Sequence, residues 1–489
     1  MSILFAPLDH STKKLSLPDQ ICERFSEYIS RGILEPGAKL PSCRKLSIQL
    51  GVSRNTAIAA YQNLIHDGLV KSRYKSGYFV NDKIKTSPQK EPKNKQKNKT
   101  SLGVFDHLPA TFKPSSFDKI VRPANWSSYP YPFVCNQMDI SRFPVSNWRK
   151  CNYQVLNQRR TAAVISDHLY EDCEEFVSQV RNRILPRRGI YAESSEILIT
   201  SGAQQALFLI AMLLSGKGRK AGIEDPCYPE ARNIFNMFYD DIESIPVDKD
   251  GLIVNEQVKG CDLLYVTANQ QFPTSVRMTK ERRDKLHEYA IENNVVIIED
   301  DYDSETDFSS LSELALKSRE NANHVIYVGT LSKSINPGLR LGYLVASADF
   351  IKEARDLRGM MIRHPPPSIQ LAAAQFIQVG HYDAYITQLQ SIYERRWYAA
   401  HKSIKALFQG IDVTSNWGGT NFMLTFPRQL DKALLAEKCL EQGIVLDDIS
   451  PCFNNSNDSL NKMRIGVSAI SIKKIPEGLQ ILKDIIDDI

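Results

Sequence analysis

From residue 116 onward, short apolar runs rich in β-branched residues alternate with segments of helical periodicity. Five runs are apolar at nearly every position: 197–200, 221–224, 263–267, 295–299 and 325–329. A strand that is apolar on both faces needs cover on both sides, which a mostly parallel sheet between layers of helices provides. The sequence therefore predicts an α/β domain over residues 116–489.

Polar side chains follow two of these predicted strands, at the ends where open parallel sheets bind ligands. Asp300 and Tyr302 follow the run at 295–299, and Tyr228 follows the run at 221–224. There a carboxylate can pair with a protonated pyridine nitrogen, a phenol with a ring hydroxyl, and Tyr228 can stack on the ring. Alternatively, the acids bind Mg²⁺ and Tyr228 belongs to the core. That interpretation leaves Lys333, which follows another predicted strand, unexplained.

Lys333 follows the run at 325–329. A lysine that forms a Schiff base needs a site that lowers its pKa and holds an aldehyde beside it. Thr330, Ser332 and Arg340 can bind one phosphate, with the arginine as a forked, permanently charged donor. Free backbone N–H groups at the start of a predicted helix form a second phosphate clamp, at Gly202, Ala203 and Gln204.

Residues 14–81 show a different pattern, of three helices and a hairpin. Pro18 suits the start of the first helix, Ser42 that of the second, and Ser53 caps the third. The buried face of the third helix is predicted at Ala57, Ala60, Tyr61, Leu64 and Ile65. With a two-stranded wing around residue 75, this is a winged helix-turn-helix, whose third helix enters the major groove of DNA.

The predicted DNA contacts lie in the second helix, the first turn of the third helix and the wing: Arg44, Ser53, Arg54, Asn55, Thr56, Lys75 and Gly77. The first turn of a recognition helix reaches base edges and phosphates. The alternative is a small protein-interaction domain with a surface arginine.

Basic charge is concentrated at the N-terminal end of the chain. Residues 1–81 carry 11 Lys and Arg against 6 acids, and residues 82–100 carry 7 against 2. Since the net charge is +5, the remainder sums to −5. This distribution is expected if only the N-terminal end meets phosphate, although a solvated basic tail is the alternative for the linker. Residues 82–115 are too polar to fold alone and are predicted to form a basic flexible linker.

Several classes of protein are disfavoured by composition. No run of 18 apolar residues and no secretory signal pattern occurs, so we expect a cytoplasmic protein without a membrane segment. The nine cysteines are irregularly spaced without a Cys-x-x-Cys pair, which favours reduced thiols and argues against a metal site.

The N-terminal region resembles the GntR family of bacterial repressors. The matching words are Leu40-Pro-Ser-Cys-Arg44, Gly51-Val-Ser-Arg-Asn-Thr56, Ala60-Tyr-Gln-Asn-Leu64 and Ser76-Gly77-Tyr-Phe-Val80. The resemblance implies that the residues from Ser53 to Thr56 face DNA. Because Ile58 is not basic, one contact made by some relatives is absent.

The remainder resembles fold-type I pyridoxal-phosphate aminotransferases, and more closely the effector domain of the MocR/GabR regulators, a GntR subfamily. The matching words include Ser201-Gly-Ala-Gln-Gln-Ala206, Glu224-Asp-Pro-Cys-Tyr-Pro-Glu-Ala-Arg232, Glu299-Asp-Asp-Tyr-Asp-Ser-Glu305, Gly329-Thr-Leu-Ser-Lys333 and Arg464-Ile-Gly466. The likeness implies that Lys333 is the Schiff-base lysine, Asp300 the ring-nitrogen partner, and Arg340 the phosphate anchor. It also implies that Arg464 binds the effector's anionic head. Gln270, where relatives usually have histidine, is a departure that leaves the effector open.

Three functions follow from these two halves. The first is a transcriptional regulator that binds pyridoxal 5′-phosphate, senses a small amine or amino-acid-like effector by aldimine exchange at Lys333, and forms a head-to-tail homodimer on a double-stranded DNA operator. The second is an aminotransferase with an accessory DNA-binding domain. The third is a DNA-binding module whose large domain is a dimer scaffold. The predicted recognition helix disfavours the second, and the lysine with its phosphate cluster disfavours the third, so a regulator that is not an enzyme is expected.

Overall fold

A computed structural model describes residues 16–84, 113–156, 164, 166, 171–309 and 313–489. Contacts within the chain divide it into two compact units, Met1–Phe112 and Lys113–Ile489. Most of the basic linker predicted at 82–115 lies outside the described residues. Within the described ranges, no helix is both long and apolar enough to cross a lipid bilayer.

The first unit contains three helices and a hairpin. They are α1 (Leu17–Ser30), α2 (Cys43–Leu50), α3 (Arg54–His66), β1 (Val70–Arg73) and β2 (Gly77–Val80). Each helix begins after a serine whose hydroxyl accepts a hydrogen bond from a backbone N–H of the first turn, at Ser16, Ser42 and Ser53. Gly51 ends α2 with a left-handed φ of 65°, which glycine adopts without steric cost.

Apolar side chains from all three helices form one core in this unit, with Phe25, Leu46 and Tyr61 fully buried. Tyr61 stacks on Tyr78 of β2 with ring centroids 4.2 Å apart, which ties the hairpin to α3. The prediction that Ile65 belongs to the buried face is wrong, since its side chain is 37% exposed. It lies one residue, or about 100° of helical rotation, beyond the buried row.

The second unit contains a large sheet and two smaller ones. Its strands are β3 (Tyr131–Pro132), β4 (Ile197–Thr200), β5 (Lys220–Asp225), β6 (Asp241–Asp248), β7 (Gly251–Leu252), β8 (Leu263–Val266), β9 (Val296–Asp301), β10 (Val325–Thr330), β11 (Gly342–Val345), β12 (Asp412–Ser415), β13 (Asn421–Thr425), β14 (Ile444–Val445) and β15 (Lys462–Gly466). The large sheet has the order β4-β11-β10-β9-β8-β5-β6-β7. Strands β10, β9, β8, β5 and β6 are parallel neighbours, whereas β11 runs antiparallel between β10 and β4.

The helices of the second unit cover both faces of this sheet and one face of a smaller sheet. They are α4 (Val145–Val155), α5 (Glu174–Gln179), α6 (Ala203–Leu214), α7 (Pro229–Phe238), α8 (Lys280–Asn293), α9 (Ala348–Ile362), α10 (Pro367–Gln378), α11 (His381–Leu407), α12 (Lys432–Glu441) and α13 (Ile475–Asp487). On one face Leu198 and Ile298 pack with α6, α7 and α9, and on the other Ile197 and Ile199 pack with α10 and α11. The predicted mostly parallel sheet between helical layers is therefore confirmed.

The larger of the two smaller sheets has the order β12-β13-β15 and is antiparallel throughout. Its apolar face packs with α11, α12 and α13 around Phe422, Leu424 and Ile465. This places Arg464, on β15, next to the residues that follow the strands of the large sheet.

Candidate functional site

A cavity of about 370 Å³ opens where the parallel strands of the large sheet end. Its wall contains nine of the ten predicted cofactor residues: Ala203, Gln204, Tyr228, Asp300, Tyr302, Thr330, Ser332, Lys333 and Arg340. The tenth, Gly202, precedes Ala203 and caps α6. The fold thus brings together residues that follow β4, β5, β9 and β10, although they are up to about 140 positions apart in the chain.

The amine of Lys333 points into this enclosed space. Its Nζ donates a hydrogen bond to the backbone carbonyl of Asn136. Burial lowers the pKa of Lys333 to about 8, and the charges of Arg122 and Arg464 act in the same direction, opposed by Asp303. The neutral, nucleophilic form of the amine is therefore accessible near neutral pH.

An anion-binding cradle lies on one side of the cavity. The Arg340 Nη2 is 3.4 Å from both the Ser201 carbonyl and the Gln204 Oε1, so the two predicted phosphate clamps meet. Gly202 has a φ of 87°, and a Cβ at this position would stand 3.0 Å from the Arg340 Nη2. The backbone conformation therefore favours glycine at this position, and a Cβ there would also crowd the guanidinium.

Hydroxyl groups complete this cradle. The Ser332 backbone N–H donates to the Thr330 Oγ1 at 3.1 Å, while the Ser332 Oγ is buried without a hydrogen-bond partner among the described residues. The Ser332 hydroxyl and the N–H groups that begin α6 are donors that suit a phosphate group.

Successive side chains of β9 point to opposite faces of the sheet, so its three carboxylates have different surroundings. Asp300 faces the cavity, where its Oδ2 accepts a hydrogen bond of 2.8 Å from the Tyr265 hydroxyl and its Oδ1 has no partner. Burial raises the pKa of Asp300 to about 7. A protonated ring nitrogen at the free oxygen would favour the ionised carboxylate.

The two neighbours of Asp300 face away from the cavity. Glu299 accepts hydrogen bonds from the backbone N–H groups of Leu316 and Lys317 at 2.8 and 3.0 Å. Asp301 accepts from the Arg188 Nε at 2.7 Å and from the Tyr327 hydroxyl at 2.9 Å. Their partners are structural, so Asp300 alone of the three is available to a ligand in the cavity.

Aromatic rings form the opposite wall. Tyr228 and Tyr302 lie edge-on to Phe272, with ring centroids 5.5 and 6.1 Å away. Burial raises the pKa of both tyrosines, so each phenol stays protonated and can donate a hydrogen bond. Phe272 is not among the predicted site residues, because its position between the two tyrosines depends on contacts that the sequence does not reveal.

Glu224 holds the loop that carries Phe272. Its Oε2 accepts from the Thr267 hydroxyl at 2.6 Å, the Thr267 N–H at 3.0 Å and the Gln271 Nε2 at 3.3 Å. The Thr267 Oγ1 in turn accepts from the Phe272 N–H at 3.1 Å. The carboxylate is fully buried and its pKa is raised to about 7 by that burial.

Arg464, the predicted effector residue, does not line the cavity. Its side chain is 1% exposed, and its guanidinium lies over the Phe272 ring at 4.4 Å. The Nε and Nη2 atoms of Arg464 have no hydrogen-bond partner among the described residues. Its role in binding an effector stays a prediction.

Other residues of the wall were not predicted. Tyr265 and Asn136 contact Asp300 and Lys333 directly, and Arg122, Glu230 and Asp447 line the cavity. Glu230 lies two residues after Tyr228, whereas the others lie outside the motifs that carry the predicted site residues and reach the cavity through the fold. Within the described ranges, no three His, Cys, Asp or Glu side chains cluster in a way that suits a metal ion.

A second candidate surface lies in the first unit, at the start of α3. The Ser53 Oγ accepts from the Thr56 N–H at 3.1 Å and lies 2.8 Å from the Thr56 Oγ1, which fixes the first turn. Arg54, Asn55 and Arg44 are exposed, whereas Thr56 is half-buried. Neither Arg44 nor Arg54 forms an ion pair with another described residue.

The wing of this unit has the conformation of a tight turn. Lys75 is exposed with a φ of 55°, and Gly77 follows with a φ of 106°. Two exposed basic residues absent from the predicted set, Lys45 on α2 and Arg73 on β1, belong to the same unit. Ile58 packs against the core, consistent with the absence of a basic contact there.

Two families match separate parts of the chain. The gntR family of bacterial regulatory proteins matches residues 17–80, and the class I and II aminotransferase family matches residues 121–482. The chain is 34% identical to the HTH-type transcriptional regulator TauR of Rhodobacter capsulatus, over 95% of each chain. It is 24% identical to the probable rhizopine catabolism regulatory protein MocR of Rhizobium meliloti, over 95% of this chain and 92% of that protein.

Solved aminotransferase structures are similar to most of the chain. A kynurenine aminotransferase of Pyrococcus horikoshii superposes with a TM-score of 0.70 and 23% identity, covering 80% of this chain and 99% of that one. An α-aminoadipate aminotransferase of Thermus thermophilus superposes with a TM-score of 0.66 and 22% identity, covering 73% of this chain and 92% of that one. At this identity the likeness concerns the fold, which is that of the fold-type I aminotransferases.

Proposed function

We propose that this chain senses a small amine through pyridoxal 5′-phosphate held at Lys333. The chain belongs to the GntR-type transcriptional regulators that carry a class I and II aminotransferase domain. The observation that carries the proposal is the position of the Lys333 amine, enclosed in one cavity with the free oxygen of Asp300 and the Arg340 cradle. DNA binding is assigned to the winged helix-turn-helix of the same chain. A residual half-transamination is compatible with this arrangement.

The residues of the cavity fit this cofactor. The Asp300 Oδ1, the Tyr302 hydroxyl and the Ser332 Oγ are buried and have no partner among the described residues. Burying polar atoms without partners costs free energy, so such a group of atoms in one cavity wall favours a polar ligand there. We assign the ring nitrogen to Asp300, the ring hydroxyl to Tyr302 and the phosphate to the Arg340 cradle, with Tyr228 as the ring's stacking partner. When bound, pyridoxal phosphate supplies an aldehyde that condenses with amines and a ring that withdraws electrons.

The proposed signal begins at Lys333. If an effector amine replaced the Lys333 amine on the cofactor, the lysine would be released inside the cavity. It would then have to form new hydrogen bonds. This difference in contacts between the two states can bias a two-state arrangement of the chain. Arg464 is buried, and its Nε and Nη2 atoms have no hydrogen-bond partner among the described residues, so it adds a second difference if the effector's anionic group reaches it.

The proposed assembly is a head-to-tail homodimer that binds two half-sites in an operator. A dimer with two recognition helices matches operators with two related half-sites. As a regulator of transcription, the protein is proposed to act in the cytoplasm.

Three measurements on the full-length protein test this proposal. Visible absorbance after addition of pyridoxal phosphate reports the cofactor, and its change across a panel of amines reports an effector. Footprinting on the upstream region of neighbouring genes reports operator binding and its response to the effector. Sustained turnover with an oxo-acid, without an effector-dependent footprint, would favour the aminotransferase alternative instead.

A further inference from the structure

The residues that begin the second unit form part of the cavity wall. We call residues 117–123 the strap. The Asp118 carbonyl accepts a hydrogen bond of 2.7 Å from the Asn233 Nδ2 on α7. Ile120 packs against the cluster that contains Phe272 and also lines the cavity, as does Arg122. The strap is thus attached at three points, two of them at the proposed cofactor site.

Arg122 is held in place by the carboxylate of Asp447, which also lines the cavity. Its Nε and Nη2 donate to the two oxygens of Asp447 at 2.9 and 3.0 Å. Asp447 also accepts from the Cys135 N–H at 2.9 Å, and its side chain is 2% exposed. Such a bidentate pair fixes the plane of the guanidinium. The Nη1 takes part in neither bond, and the side chain retains 21% exposure.

The charges around the cavity indicate what Arg122 can bind. Arg340 belongs to the phosphate cradle, and Arg464 lies over the Phe272 ring and does not line the cavity. Arg122 is therefore the arginine in the wall that no proposed cofactor contact uses. Two acids line the same wall. Both oxygens of Asp447 accept hydrogen bonds from Arg122. Burial raises the pKa of the Glu230 carboxyl group and so disfavours its ionised form.

We propose that Arg122, presented by Asp447, is a second effector-recognition residue and binds an anionic group, a carboxylate or a sulfonate, at the end of the effector remote from its amine. This inference rests on the proposed function and adds to it a preference for effectors that carry an anionic group. A fixed guanidinium with a free N–H edge suits planar or tetrahedral oxyanions and gives no advantage to an alkylamine.

The position of Arg122 in the chain gives this contact a second consequence. The strap directly follows the segment that leads from the DNA-binding unit. An effector that draws the guanidinium toward itself competes with Asp447 and alters the attachment of the strap. Binding of an effector in the cavity would therefore change the contacts of Arg122 with Asp447, at the start of the second unit.

The test uses the full-length protein loaded with pyridoxal phosphate. Its probes are ω-amino acids and ω-aminosulfonates of increasing chain length, each paired with the alkylamine of the same length, with affinities measured from the cofactor absorbance. We expect Arg122→Gln to weaken the best anionic probe by about tenfold or more while its alkylamine partner stays within about twofold. Arg122→Lys keeps the charge but loses the fork, and should show an intermediate loss.

Lys119→Gln is the matched control, because it removes one positive charge from the same strap at an exposed position that does not line the cavity. It should behave as wild type. If Arg122→Gln retains cofactor and binds both probes of a pair as wild type does, the inference is overturned. If wild type holds the cofactor yet responds to no probe, the proposed sensing function fails, and the selectivity assigned to Arg122 fails with it.

Discussion

The chemistry proposed for this protein depends first on one amine. Only the neutral form of Lys333 attacks an aldehyde, and burial lowers its pKa to about 8 from an ordinary 10.5. Because the folded pKa is lowered, the neutral fraction rises as pH increases through about 8. We predict that the rate of pyridoxal phosphate attachment to the cofactor-free protein rises with pH around that midpoint, in stopped-flow absorbance measurements.

Lys432 is the natural control for this prediction. Burial also lowers its pKa to about 8, but it lies on α12 outside the cavity wall. Lys432→Ala should leave the pH profile unchanged, and Lys333→Ala should abolish the absorbance. A midpoint near the ordinary value for lysine would contradict the enclosed environment described for Lys333.

Adjacent residues of β9 are predicted to respond differently to the same substitution. Asp300→Asn removes the charge that a protonated ring nitrogen needs, so cofactor affinity and absorbance should change while the fold persists. Asp301→Asn weakens the partner of the buried Arg188 and should lower the free energy of unfolding by about 3 kcal/mol. Denaturant titration and cofactor titration of both variants separate these effects, and a reversed pattern would show that β9 presents the other face to the cavity.

At the scale of elements, the sequence predicts the five core strands because their apolar runs are nearly continuous. It does not predict β11, whose four residues at Gly342–Val345 run antiparallel between β10 and β4. Periodicity indicates that a segment is a strand and says nothing of its neighbours or direction. The sequence predicts most of the site residues for a similar reason, since they lie in local motifs. It does not predict Tyr265, Arg122 and Asp447, because they reach the cavity through long-range contacts.

The start of α3 depends on its cap. Ser53 satisfies the Thr56 N–H, which otherwise has no partner within the helix. Ser53→Ala should lower the stability of the first unit by about 1 kcal/mol, and Ser53→Asp should preserve it. Thermal unfolding followed by circular dichroism on full-length variants measures both, and equal melting for all three proteins would argue against the cap.

The exposed face of the same turn is predicted to contact DNA. Arg54→Ala should weaken operator binding by about 1–3 kcal/mol, because arginine contacts to bases or phosphates are lost. Arg31→Ala removes an exposed arginine that pairs with Glu27 on α1, and serves as the control. Gel-shift titration in which both variants bind as wild type would count against α3 as the recognition helix.

At the scale of the whole molecule, two units with different chemistry share one chain. The DNA-binding unit and the segment after it carry the excess positive charge, and the aminotransferase-like unit carries a compensating negative charge. This separation directs phosphate backbones to one end of the protein, and the cavity of the other unit is left for a small molecule. A regulator of this kind needs a cofactor that changes partners when an amine arrives, and Lys333 is the position at which that exchange is proposed.

The most direct test is therefore covalent. The full-length protein is incubated with pyridoxal phosphate, reduced with borohydride, digested and mapped by mass spectrometry. We expect one stoichiometric phosphopyridoxyl adduct, on the peptide that contains Lys333, and none after prior incubation with an excess of an effector amine. A protein that remains unmodified, or an adduct on Lys432 or another lysine in its place, would contradict it.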